Sequence, residues 1–266
     1  MRKIVFIILI TIKFVDAQEA LIRDLPSVAQ RITTGKGQLQ LSHEIEYFKA
    51  EKNYDLIYTF NMSYGTTERT QIDIFAPFFF KRKTFDGQHS GIADLVAEFQ
   101  WRFFQAPSNL AIIMGGITLP TGRSDKMPFL GSGKLGFTIE GQFLHSSDYW
   151  FFDFGPGAFL TRTHKNGTKI GNSYFLDMGF GRRFKSSKSD FFLVAEFDAF
   201  IFERDKIKGI TDLNSGANVI FFGPLFIWTR KNLVVELLVQ GPIGQHLFGI
   251  QRKFDLHTSF FVQVTL

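Results

Sequence analysis

Charged side chains at alternate positions of strand-like segments are the chemistry this sequence offers. Asp94, Glu98, Arg102, Glu140, Asp153, Asp177, Glu196, Asp198 and Glu236 all fall on the less apolar face of such segments, and Asp73 joins them. Unpaired carboxylates in this number cannot be buried dry, because each needs water, a cation or a proton. If these faces line an interior, that interior is acidic, with Arg102 as its clearest cation. A hydrated pore of this kind favours cations or hydroxyl-rich solutes. The plainer reading is a water-filled structural interior, balanced by Arg102 and by lysines in the loops.

Other chemistries are poorly supplied. The chain has no cysteine, which removes disulfides, thiolate metal sites and thiol nucleophiles. His43, His89, His145, His164, His246 and His257 are scattered without metal spacing, so neither a metal nor a cofactor is expected. Outer-membrane phospholipases carry a His-x-Ser-Asn-Gly-type sequence. The nearest fragment here, His145-Ser146-Ser147-Asp148, lacks the asparagine and glycine and falls on a short turn. Asn214-Ser215-Gly216 has no adjoining histidine. No catalytic residue is named, and an enzyme is not expected. Gly131-Ser132-Gly133-Lys134 lacks the spacing of a phosphate-binding loop. No aromatic platform supports nucleic-acid binding, despite a net charge of +5.

The elements that must position the charged residues are strands. Period-two alternation recurs along nearly the whole chain. Ala93, Leu95, Ala97, Phe99, Trp101 and Phe103 form one face of a segment whose other face is Asp94, Val96, Glu98, Gln100 and Arg102. Leu256, Thr258, Phe260, Val262, Val264 and Leu266 oppose His257, Ser259, Phe261, Gln263 and Thr265 at the far end. Twelve segments are expected, at 37–48, 54–65, 69–80, 91–105, 109–118, 134–145, 148–161, 172–185, 190–203, 216–229, 232–240 and 254–266. Each is long enough for a tilted strand to cross a membrane.

A soluble sandwich would show the same alternation. Three features favour a closed transmembrane β-barrel, an all-β antiparallel fold. Short and long connections alternate, as they do when turns face the periplasm and loops face outside; only the first connection, near Lys52-Asn53, breaks the rule. Aromatic residues gather near strand ends, in a chain with 34 phenylalanines. The N-terminus reads as a signal peptide, with basic Met1-Arg2-Lys3, an apolar run from Ile4 to Ile12 and cleavage near Ala17. The domain plan is therefore 1–17 leader, 18–36 periplasmic tail or small plug, and 37–266 barrel. That plan places the mature protein in the outer membrane.

Several short motifs come in a recognisable order. They are Gly37-Gln38-Leu39-Gln40-Leu41, then Gly91-Ile92-Ala93-Asp94-Leu95 leading to Trp101-Arg102-Phe103, then Gly115-Gly116-Ile117-Thr118-Leu119-Pro120-Thr121-Gly122, then Leu130-Gly131-Ser132-Gly133. The chain resembles the outer-membrane family named for the meta-pathway of phenol degradation. Two positions depart: Ala93 stands where the family has glycine, and Leu266 where outer-membrane proteins favour phenylalanine. The resemblance implies a barrel of about twelve strands acting as a channel or transporter for small solutes, some of them hydrophobic or aromatic. A structural or surface-interaction barrel is the alternative. Membrane lipids, lipopolysaccharide facing the basic loops, and the barrel-assembly machinery are the expected partners, with no nucleic acid.

Overall fold

The computed structural model describes residues 34–84, 87–124, 128–163 and 167–266. The leader and all but the last three residues of the 18–36 segment lie outside these. Fifteen strands account for the described residues: β1 (Leu39–Ala50), β2 (Asn53–Gly65), β3 (Thr70–Thr84), β4 (Gly87–Ile92), β5 (Leu95–Ala106), β6 (Asn109–Leu119), β7 (Gly136–Ser146), β8 (Trp150–Thr161), β9 (Ser173–Lys185), β10 (Asp190–Phe202), β11 (Lys206–Ile207), β12 (Ile210–Thr211), β13 (Ala217–Arg230), β14 (Leu233–Leu247) and β15 (Leu256–Thr265). Thirteen of them form one antiparallel sheet. β4 and β5 both pair with β3, end to end, so the sheet has twelve positions. It closes because β1 pairs with both β2 and β15 while β2 also pairs with β3. β11 and β12 make a separate small hairpin.

Alternation becomes orientation here. On β2, Ile57, Thr59, Asn61 and Ser63 are buried, while Met62 and Tyr64 between them are exposed. On β7, Thr138, Glu140 and Gln142 are buried and Phe137 and Ile139 are exposed. The polar residues of these strands therefore point inward and the exposed apolar ones outward, the reverse of a soluble protein. Exposed Phe99, Trp101, Ile113, Ile117, Ile139, Phe180, Leu193 and Phe222 stand on the outer wall of six barrel strands, β5, β6, β7, β9, β10 and β13. A wall of this kind belongs in hydrocarbon, and closure gives each strand a partner for its backbone groups there. Among the described residues no helix is long and apolar enough to cross a membrane.

Connections sort by end. Five short turns, including Pro107-Ser108, Ser147-Asp148-Tyr149 and Lys231-Asn232, lie at one end. The long connections lie at the other, together with the two-residue turn Glu51-Lys52, where Glu51 adopts a φ of 54°. Two expectations are corrected. The segment expected as 91–105 is broken at Ala93-Asp94, because Asp94 turns to bind a loop. The segment expected to stop at 240 continues to Leu247: Gly241 and Pro242 stay paired with Phe222 and Phe221, and Ile243 is the extra residue where the register shifts between Ile220 and Phe221. Pro242 is tolerated because the ladder is already interrupted there.

Candidate functional site: the barrel interior

The interior is layered, and the layers follow from inward positions along each strand. Toward the long-loop end lie two aromatic clusters. Phe48, Ile57, Phe79, Ala93, Leu130 and Phe159 form one; Phe175, Phe200, Phe202, Ala217, Val219 and Phe221 form the other. Toward the short-turn end, Ile112, Met114, Leu144, Phe151, Val194, Leu225 and Ile227 form a third. Between them runs a belt of carboxylates and amides. The water-filled interior expected from the charges is thus replaced by a largely shielded one: Asp153 and Asp177 are 0 % exposed.

The candidate residues fall in place as follows. Glu98, Glu140, Asp153, Asp177, Glu196, Asp198 and Glu236 all point inward and are buried. Asp153, Asp177 and Glu196, on the adjacent strands β8, β9 and β10, each bring one oxygen within 4.8 Å of the others. Glycines make that approach possible. A Cβ at Gly179 would lie 2.0 Å from an Asp153 oxygen, and one at Gly155 would lie 2.3 Å from an Asp177 oxygen. These three are the described residues best arranged to meet a cation, although each also engages other groups. Arg102 is half-buried at the short-turn end, where its guanidinium donates to the Glu68 carbonyl.

Hydrogen bonds tie the belt together. Gln71 and Gln100 donate to the two oxygens of Asp73, at 2.6 and 2.9 Å. Gln240 donates to Asp198 at 2.7 Å, which leaves its carbonyl oxygen 3.0 Å from Nδ1 of His257. His257 Nε2 faces a Glu46 oxygen at 3.2 Å, and Phe48 stacks on the ring at 3.9 Å. Ser259 donates to Glu44. Glu44, Glu46 and Gln240 are not among the residues that the spacing of charges singles out, and His257 stands out there only as a polar-face residue of the last strand without metal spacing. The signal for the two glutamates was present: Gln40, Ser42, Glu44 and Glu46 alternate with Leu41, Ile45 and Tyr47 along β1.

Asp94 has a different task. It lies between β4 and β5, fully buried, and accepts three hydrogen bonds from the loop after β6: Gly122 N at 2.8 Å, Ser132 N at 2.6 Å and Ser132 Oγ at 2.6 Å. Thr121 Oγ1 accepts from Leu95 N at 2.8 Å and donates to the Ala93 carbonyl at 3.1 Å. Gly122 and Gly131 meet face to face, where a Cβ on either would lie under 3 Å from the other's backbone. This is the physical content of the Leu119-Pro120-Thr121-Gly122 and Leu130-Gly131-Ser132-Gly133 motifs. They fold the loop inward, and Leu130 enters the first aromatic cluster at 2 % exposure.

Near the short-turn end a cavity of about 260 Å³ opens among Leu110, Leu144, Phe151, Phe192, Ile227 and Val234, with Arg102, Asn109 and Glu236 at its edges. It is large enough for a small apolar body.

The other long loops form a platform around Asp205, between β10 and β11. Asp205 accepts from Gly171 N at 2.7 Å, and its own N–H donates to Ser215 Oγ at 2.8 Å. Lys169 and Lys206 exchange two backbone hydrogen bonds. Burial pushes the Asp205 carboxyl up to about 6, with the Gly171 N–H pulling down, Asp212 pushing up and Lys134 pulling down. A carboxyl raised in the fold stabilises it fully below the unfolded value of ~4, and that contribution is lost as pH rises to about 6. The platform is therefore expected to weaken between those values by on the order of 2 kcal/mol. Loop proteolysis, normalised to an unstructured peptide, should run faster at pH 7 than at pH 4.5, and Asp205→Asn should remove the difference. Equal rates at both pH values in the native chain would refute it.

Comparison with known proteins fits this geometry. The profile of the family described as "Putative MetA-pathway of phenol degradation" matches residues 25–241. An outer membrane channel from Pseudomonas putida F1 superposes with a TM-score of 0.75 at 12 % identity, over 91 % of this chain and 99 % of that one. The beta domain of the Bordetella autotransporter Brka gives 0.55 at 8 % identity, over 87 % and 100 %. LpxR from Salmonella typhimurium gives 0.51 at 6 % identity, over 85 % and 99 %. At these identities the likeness establishes the fold, which is that of outer-membrane barrels. No curated protein matches the sequence.

Proposed function

We propose, for a chain that belongs to the phenol-degradation meta-pathway family, that it is a narrow outer-membrane channel for small solutes, with passage along the carboxylate and amide belt. One observation carries this reading. A barrel that needed only to be stable would fill its centre with apolar side chains, which cost less to bury than ionisable ones. This one keeps Glu98, Glu140, Asp153, Asp177, Glu196 and Asp198 at mid-height and clears room for them with glycines. The solved channel from Pseudomonas putida F1 shares the fold.

The apolar cavity beside Arg102 favours, as a second reading, a solute with an apolar or aromatic body entering from the short-turn end. Catalysis is not part of the proposal. His145 is held by Asn109 at 2.9 Å on the wrong end of the barrel for a surface lipid enzyme. In the same reading residues 1–17 are the export leader cleaved near Ala17, the assembly machinery inserts the barrel, and lipopolysaccharide surrounds the long-loop end.

Planar bilayer recording tests the proposal. Reconstituted protein should give a small conductance that prefers cations over anions. An anion-selective or silent record would overturn it and leave a structural or surface-interaction barrel.

A further inference from the structure

The connection that breaks the loop-length rule marks a second site. Glu51-Lys52 is the short exception at the long-loop end, so no long loop arises between β1 and β2. On that wall, two cross-strand rows gather cations and tyrosines. Lys49, Tyr54 and Lys83 are direct partners across β1, β2 and β3, and Tyr47, Leu56 and Lys81 form the next row. The Lys81 and Lys83 ammonium groups both lie over the Tyr54 ring, 5.4 and 5.9 Å from its centroid. Tyr47 packs against Tyr54 at 6.0 Å.

Two like charges over one ring repel each other, and the ring's quadrupole offsets only part of that. Among the described residues neither lysine has a carboxylate within ion-pair distance. Lys49 is paired with Asp255 at 3.6 Å, and the same Asp255 oxygen accepts from Glu51 N. At the short-turn end Arg183 pairs with Asp190 and Lys185 with Asp148, and Arg182 lies over the Trp150 ring. The Lys81–Lys83 pair is thus built to receive an anion from outside. Directly beneath it the outer wall is apolar, with Tyr58 against Phe80 at 5.7 Å and Phe80 against Phe78 at 5.7 Å.

We infer that this wall binds a phosphorylated glycolipid of the outer leaflet. Its phosphate is held by Lys81 and Lys83, with Lys49 and Lys52 at the margin, and its acyl chains lie along Leu56, Tyr58 and Phe80. Tyrosines belong at this depth, where an apolar body and a polar tip both find partners. The long-loop end faces outside, which makes a glycolipid, and not an inner-leaflet phospholipid, the matching source of phosphate. The inference rests on the outer-membrane placement and not on conduction, so a silent bilayer record would leave it standing.

Native mass spectrometry of the full detergent-solubilised chain tests it. Bis-phosphorylated lipid A should be retained, and Lys81→Gln/Lys83→Gln should lower the bound fraction at least fivefold. Lys81→Arg/Lys83→Arg should keep it, and Lys188→Gln/Lys231→Gln at the other end should leave it unchanged. Each variant's heat-modifiable mobility on a gel checks that its barrel has formed. Undiminished retention by the glutamine pair would overturn the inference. So would phosphatidylglycerol bound as well as lipid A, or full displacement by inorganic phosphate.

Discussion

Asp94→Ala is expected to raise single-channel conductance severalfold and to expose the loop after β6 to protease at Arg123. The carboxylate holds that loop by three hydrogen bonds, from Gly122 N, Ser132 N and Ser132 Oγ. Hydrogen bonds to a charged acceptor are worth about 1.5–3 kcal/mol each when buried. Part of that returns as the freed donors find water. A net loss of about 3 kcal/mol makes loop opening roughly a hundredfold more frequent. Leu130 would leave the aromatic cluster with the loop, uncovering Phe79 and Phe159 at the outer mouth. Asp94→Asn keeps an acceptor for Gly122 and should fall between the two. Native-like conductance together with native-like protease resistance in Asp94→Ala would show that the loop does not restrict the mouth.

The second large effect concerns the belt. Neutralising Asp153, Asp177 and Glu196 together, as Asp153→Asn/Asp177→Asn/Glu196→Gln, should lower the cation-over-anion permeability ratio by about an order of magnitude. At an effective dielectric of about 20, a unit charge ~5 Å away contributes about 3 kcal/mol. Even one ionised group among three carboxylates within 4.8 Å of one another acts on that scale, reduced by the neighbouring groups each also engages. The substitutions keep side-chain size, so the glycine pockets at 155 and 179 still fit them. Reversal potentials in a salt gradient give the ratio. An unchanged ratio would move the selective region away from β8, β9 and β10, and Glu236→Gln would then be the next residue to measure.

The strands were legible because lipid and interior impose opposite demands on neighbouring residues. Where the two demands differ sharply, as from Ala93 to Phe103, alternation is plain. It blurs on β6, where Leu110, Ala111, Ile112, Ile113 and Met114 run together. Ile112 and Met114 are inward and buried, Ile113 outward. Composition alone cannot separate an apolar residue facing lipid from one facing a packed interior. That is why the sequence suggested water where the structure has three apolar clusters. The hold of Asp94 on the loop after β6 was half legible: Asp94 and the Thr121-Gly122 and Gly131-Ser132 motifs were all singled out, but their meeting depends on that loop returning to a broken strand. His257 gave no such signal, since it meets Gln240 across the preceding hairpin but Glu46 only across the barrel seam, 211 residues away in the chain.

The closing pair of strands has a kinetic consequence. Gln40 lies opposite Thr265, and Leu266 N donates to the Leu39 carbonyl at 2.8 Å. The seam therefore joins residues from the two ends of the folded region. Every other barrel pairing links strands that are consecutive in the chain or separated only by the short β4 or the β11–β12 hairpin, and so can zip locally. The seam alone must close a loop containing all the rest, the contact with the highest entropic cost. Until it forms, β1 and β15 each present a bare edge to any strand nearby. Barrel closure, rather than hairpin formation, is then the step at which an assembling catalyst has the most to accelerate.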